Sequence, residues 1–365
     1  MSNHVPLSPH SDVTFSRPRK RNLRIPRASL IWPNTGSSVV TITMVRLLLL
    51  SGLLYGAVNP PLPTQPRISA MAASRREEPY RQVLQIGGAV IQVDIRIDQG
   101  SLRNEDIVAW VRRATEAVAV YYGRFPVQRA RVIVSQNEDK DESIHGTTWG
   151  DIQGVQGLAR MRLGSAVTKA DLEDDWTMTH ELVHMALSSL PDESHWLEEG
   201  IATYVEPIAR AQANQLPVEQ VWAGMVRGMP QGEPRPGDKG LERTHTWGRT
   251  YWGGAMFCLV ADVQIRKATG NRKGLQDALQ AIVAAQGTID TEWPLSRVLE
   301  TGDRATGTTV LVDLYRKWKD APIVVDLDQL WQQLGVQVGS RGIELDANAP
   351  LVSIRRAMTS PPKQR

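Results

Sequence analysis

Residues 83–97 alternate apolar and polar side chains, with Ile91, Val93, Ile95 and Ile97 on one face. Gly87-Gly88 interrupts the run, which predicts two strands joined by a tight turn. Ile107, Val111, Ala114 and Val118 recur at helical spacing up to Gly123 and predict a helix. Arg129–Ser135 predicts another strand, and the polar, glycine-rich stretch 136–154, with His145 in it, predicts a loop. Ala159, Met161 and Leu163 alternate with Arg160 and Arg162, again a strand pattern. The period then changes. Within 174–187, the apolar residues Met178, Leu182, Val183, Met185, Ala186 and Leu187 cluster mainly on one helical face, which predicts a buried helix. Asp171, Glu173, Asp174 and Asp175 fall at its predicted start, where the macrodipole favours acids. Residues 228–240 are dense in Gly and Pro and predict a surface loop, with His245 just beyond. Residues 255–335 read as mostly helical, from spacings such as Leu275, Leu279, Val283 and Leu311, Leu314, Trp318. A short strand and a polar end follow from Gln337. Strands first and helices after define an α+β chain.

The predicted buried helix carries His180-Glu181-Leu182-Val183-His184. Residues four apart share a helical face, so His180 and His184 can offer two imidazole nitrogens to one metal ion. Glu181 is rotated by roughly 100° from His180, which suits it to touch a water rather than the metal. The competing reading is an amphipathic helix with two surface histidines. The apolar face argues against it, because a buried histidine pair with a glutamate is costly without a partner. Fifteen residues after His184 comes Glu199, in Trp196-Leu197-Glu198-Glu199-Gly200.

The segment from Trp196 to Glu206 resembles the second motif of the gluzincin peptidases, which in the aminopeptidase N-like family reads Trp-Leu-Asn-Glu-Gly-Phe-Ala-(Ser/Thr)-Tyr-(Val/Leu)-Glu. The resemblance implies that Glu199 is a third zinc ligand and that Glu206 orients a ligand histidine. Glu199, Thr203 and Glu206 lie along one helical stripe, which fits. Arg249-Thr250-Tyr251-Trp252-Gly253-Gly254-Ala255 is similar to the Tyr-x-Lys-Gly-Ala segment of the same clan, with Gly253 in place of the lysine. It implies that Tyr251 stabilises an oxyanion; a core tyrosine opening the next helix is the alternative. The helix that follows is similar to one in glycyl aminopeptidases. The chain as a whole most resembles the bacterial peptidase MA-like group, with a spacing between the two motifs shorter than in aminopeptidase N relatives. That group implies a two-lobed zincin domain, thermolysin-like, with a small β-rich N-terminal lobe and a helical C-terminal lobe. It also implies one Zn2+ per chain and a peptide or protein substrate, hydrolysed by water that Glu181 activates. A non-catalytic zinc-containing binding protein of the cell envelope is the alternative. Aminopeptidase N-like enzymes carry a Gly-x-Met-Glu-Asn strand that grips the substrate amino terminus; the corresponding stretch here, 154–163, has no acid. If that stretch is the strand at the edge of the cleft, Arg160 and Arg162 line it or face solvent.

Composition changes the picture only at the N-terminus. The formal net charge is +3, yet residues 1–76 contain ten Lys and Arg against one Asp, so the rest is net acidic. That gives no electrostatic case for nucleic acid. Cys258 is the single cysteine, which excludes an internal disulfide. Residues 1–43, rich in Pro, Ser and Arg, predict a disordered or over-called extension. Residues 44–76 combine a basic flank with the apolar run 47–58 and a proline-rich linker, the pattern of a signal peptide or short anchor. Export to the periplasm or medium is expected, with any membrane contact through an uncleaved anchor. The remaining divisions expected are 77–170 (β-rich lobe), 171–355 (helical lobe with the zinc site) and 356–365 (polar tail).

Overall fold

In the computed structural model the described residues are 78–97, 102–137 and 141–361; the apolar run 47–58 lies outside them. The first alternating stretch folds as the hairpin β1 (Tyr80–Ile86) and β2 (Ala89–Arg96), turning at Gly87 and Gly88 with φ of 58° and 81°. Helix α1 (Asn104–Tyr122) buries Ile107, Val111, Ala114 and Val118 and ends at Gly123 in a left-handed cap. It returns the chain so that β3 (Arg129–Gln136) lies parallel to β2. A second hairpin, β4 (Ile144–Ile152) and β5 (Val155–Leu163), inserts β5 parallel to β3 and leaves β4 outermost. The sheet order is β1-β2-β3-β5-β4.

The stretch expected as a loop therefore holds the edge strand. On its face toward the helices the three middle positions are Gly146, Thr148 and Gly150, and only Ile144, at the strand's start, packs an apolar side chain on the core. A methyl group on Gly150 would collide with the Ile289 backbone, so close packing selects small residues there. Hydrophobic alternation, the sequence signal of a half-buried strand, is thereby erased. It follows that β5 is internal. Arg160 and Arg162 pair across with Thr147 and His145, on the sheet face opposite Thr148, and both are exposed.

The acidic cluster also falls differently. Most of it belongs to a separate helix, α2 (Lys169–Asp174), closed by extended backbone at Asp175. Asp175 alone serves the next helix, α3 (Thr177–His184): it accepts hydrogen bonds from the Thr177 and Met178 amides, 2.9 Å each, and from Trp110 Nε1 at 2.9 Å. Helix α4 (His195–Gln212) packs on α3 and α1.

After α5 (Val218–Gly228), the Gly/Pro-rich segment makes a 3-10 turn, Met229–Gly232, with Met229 fully buried. Asp238 in that segment meets the buried Arg249 at 2.8 Å, and the Gly232 carbonyl accepts from the same guanidinium. The segment is thus pinned, not merely superficial. Arg249–Gly253 forms a π-helical turn that runs into α6 (Gly254–Ala268). Helices α4 and α6 meet backbone to backbone: a methyl on Gly254 would lie 2.7 Å from Gly200 Cα, and one on Gly200 would strike the Gly254 backbone. Cys258 is buried in α6.

The helical part continues through α7 (Leu275–Ala284), α8 (Leu295–Thr306), α9 (Val310–Trp318) and α10 (Leu327–Leu334). A small hairpin, β6 (Val336–Gly339) with β7 (Gly342–Leu345), precedes α11 (Val352–Thr359). That last helix runs into the expected polar tail, because Ile354 and Met358, one turn apart, are both buried. The described residues group as one compact unit, a sheet with helices packed against it. Among the described residues, no helix is long and apolar enough to cross a membrane.

Candidate metal centre

Helix α3 is short, and its polar face is buried beneath α4. His180, Glu181 and Glu199 are each less than a tenth exposed. Oε2 of Glu199 lies 3.1 Å from His180 Nε2 and 3.6 Å from His184 Nε2. One atom from each of the three side chains falls within 4.8 Å of the others. Two imidazole nitrogens and a carboxylate oxygen converging on one point are the donor set of a catalytic zinc site. The residues present therefore fit that metal.

Electrostatics reflect the same convergence. Burial works against charge on both His184 and Glu199. For His184, the hydrogen bond and charge of Glu199, with Glu181 and Glu198 adding, outweigh burial and push its pKa up to about 9. For Glu199, hydrogen bonds from both histidines hold its carboxyl well below the usual carboxylate range.

Glu181, rotated away from the three donors, points to the edge strand. Thr148 Oγ1 lies 2.7 Å from its Oε2 and 3.0 Å from its main-chain oxygen. Tyr251, on the π turn, comes to the same centre. Its ring stacks on His180 at 6.2 Å and 18°, and it hydrogen-bonds to Glu199. Burial, then the charges of Glu199 and Glu181, raise its pKa. Single-turn π-helical segments often lie at functional sites.

Glu206 is buried two turns beyond Glu199. Its Oε1 accepts a 2.9 Å bond from Arg210, and it interacts electrostatically with His180. Nδ1 of His180 is buried with no hydrogen-bond partner among the described residues. Glu198 is a helix-start carboxylate tied to the Leu190 amide at 2.9 Å.

Three neighbours of the centre had not been singled out in the sequence. His195 places Nε2 3.5 Å from Glu199 Oε1 and Nδ1 2.9 Å from Glu198 Oε2. It sits four residues before Glu199, so helical spacing was a usable signal. Trp247, 38% exposed, stacks on Tyr251 at 5.7 Å. Thr148 had no local signal, because its strand was not visible. His145 lies on the far sheet face, paired across from Arg162, and His245 is exposed.

No family model and no curated protein matches the chain. Among solved structures, an aminopeptidase N family protein from Idiomarina loihiensis is similar with a TM-score of 0.53 at 11% identity, covering 74% of this chain and 53% of that one. An M1 zinc metallopeptidase from Deinococcus radiodurans gives a TM-score of 0.43 at 15% identity, covering 68% and 53%. A two-domain M1 zinc metallopeptidase, a mutant bound to L-arginine, gives 0.45 at 15%, covering 68% and 54%. The chain spans about half the length of these structures. The first likeness shows a shared fold, with a β-sheet region followed by many helices.

Proposed function

We propose that this protein is a zinc-dependent peptidase of the gluzincin type, with a two-lobed zincin domain. The convergence of His180, His184 and Glu199, with Glu181 beside them, carries the reading. A zinc ion held by these three side chains would supply Lewis acidity and acidify a water in its open position. Glu181 takes a proton from the attacking water and returns it to the leaving amine. Tyr251, kept protonated by its surroundings, donates its hydroxyl to the oxyanion that develops on the carbonyl. Glu206, itself fixed by Arg210, is the carboxylate suited to hold the His180 ring. The substrate is a peptide or protein. Export, directed by the apolar run 47–58, completes the reading.

The test is elemental analysis of the purified chain beside His184→Ala, followed by cleavage of a peptide library. The expectation is about one zinc per chain, absent from the variant, and peptide cleavage that Glu181→Gln abolishes. Zinc-free folded protein after zinc is supplied would overturn the reading.

A further inference from the structure

We propose that the edge strand β4 aims the Glu181 carboxylate, with Thr148 as its positioning residue and Gly146 as the slot it lies in. This rests on the general-base reading of Glu181 above.

Two independent observations carry it. First, the Thr148 hydroxyl touches Glu181 twice, at the carboxylate (2.7 Å) and at the main-chain oxygen (3.0 Å). A hydroxyl has one hydrogen to give, and the shorter contact, to the charged acceptor, is the stronger one. The main-chain oxygen is within reach because α3 ends there: the Met185 amide bonds to Leu182 and Val183 instead. Second, a methyl group on Gly146 would lie 2.7 Å from both Cδ and Oε1 of Glu181, and closer still to Cγ. The carboxylate therefore rests against bare strand backbone. Gly146 and Thr148 are two apart and share one strand face, so a single face of β4 accounts for both carboxylate oxygens. A glutamate side chain otherwise has ample rotamer freedom. Fixing it before substrate arrives removes a cost from the proton-transfer step.

Thr148→Val removes the hydroxyl and keeps the shape, and Thr148→Ser restores the hydroxyl. In the zinc-loaded full-length chain, Thr148→Val is expected to keep its zinc and its KM while kcat falls roughly 10- to 100-fold, the loss of one hydrogen bond to a charged group. Thr148→Ser recovers most of that loss. A crystal structure of zinc-loaded Thr148→Val is expected to show the carboxylate swung away from β4. Wild-type kcat in Thr148→Val, equal impairment of the Val and Ser variants, or an unmoved carboxylate would each overturn the proposal. Glu181→Gln separates it from the reading beneath it. Retained turnover there sinks the general-base role, while the crystallographic comparison still decides whether Thr148 holds the side chain.

Discussion

At the residue scale the centre rests on charges that compensate one another. His184 keeps its proton up to about pH 9 because Glu199 faces it. Zinc binding must displace that proton, so at pH 7.5 uptake of zinc by the metal-free protein releases about one proton from this histidine. Isothermal titration in buffers of different ionisation enthalpy checks the number; a buffer-independent enthalpy would contradict it. On the proposed mechanism, Tyr251→Phe removes the donor to the developing charge and should lower kcat by about 10²- to 10³-fold with zinc content unchanged. An unaltered rate would take Tyr251 out of the chemistry. His180, Glu181 and His184 were legible in the sequence because helical periodicity relates them locally, whereas Glu199, on the separate helix α4, was legible only through the resemblance of the segment from Trp196 to Glu206 to the gluzincin second motif. Thr148 was not, since it reaches Glu181 across a long sequence separation, through a strand whose middle has no apolar alternation.

At the scale of elements, the π turn depends on a buried ion pair. Arg249 and Asp238 are each almost fully enclosed. Asp238→Ala would leave a buried guanidinium without its counter-charge, a loss of about 3–5 kcal/mol. Chemical denaturation measures it directly, and a change under 1 kcal/mol would show that the pair contributes little. The strands β1 to β3 and the helices α1, α7 and α9 could be read from periodicity and glycine stops. The π turn could not, because it opens the helix, and no apolar repeat precedes it against which one extra residue would show as a change of phase. The acidic cluster misled for a related reason: it marks a separate short helix, and only Asp175 caps α3. Pro207 would be expected to end α4, yet the helix runs to Gln212 over buried Ile208, Ala209 and Ala211.

For the whole molecule, the same coupling sets how stability varies with pH. His184 binds its proton more tightly folded than unfolded. In the metal-free protein its contribution is fully present below about pH 6.5 and is lost as pH rises through about 9. Glu199 acts in the opposite sense: its contribution is present above about pH 4.3 and fades as pH falls. The metal-free chain should therefore melt at progressively lower temperature on going from pH 6.5 to 9.5. The His184→Ala chain should show a shallower slope, with the part due to His195 beside Glu198 remaining, and identical profiles would refute the assignment.

The contact between Gly200 and Gly254 bears on how inactive alleles of this protein would be interpreted. Helix α4 carries Glu199 immediately before one glycine, and the π turn carrying Tyr251 leads directly into the other. A single added methyl at either position acts as a wedge between the ligand helix and the tyrosine, though neither glycine carries a reactive group. A genetic selection for lost activity would return both glycines alongside the proposed zinc ligands. Their variants would differ from ligand variants in retaining metal, so a metal assay on each allele would sort spacing defects from chemical ones.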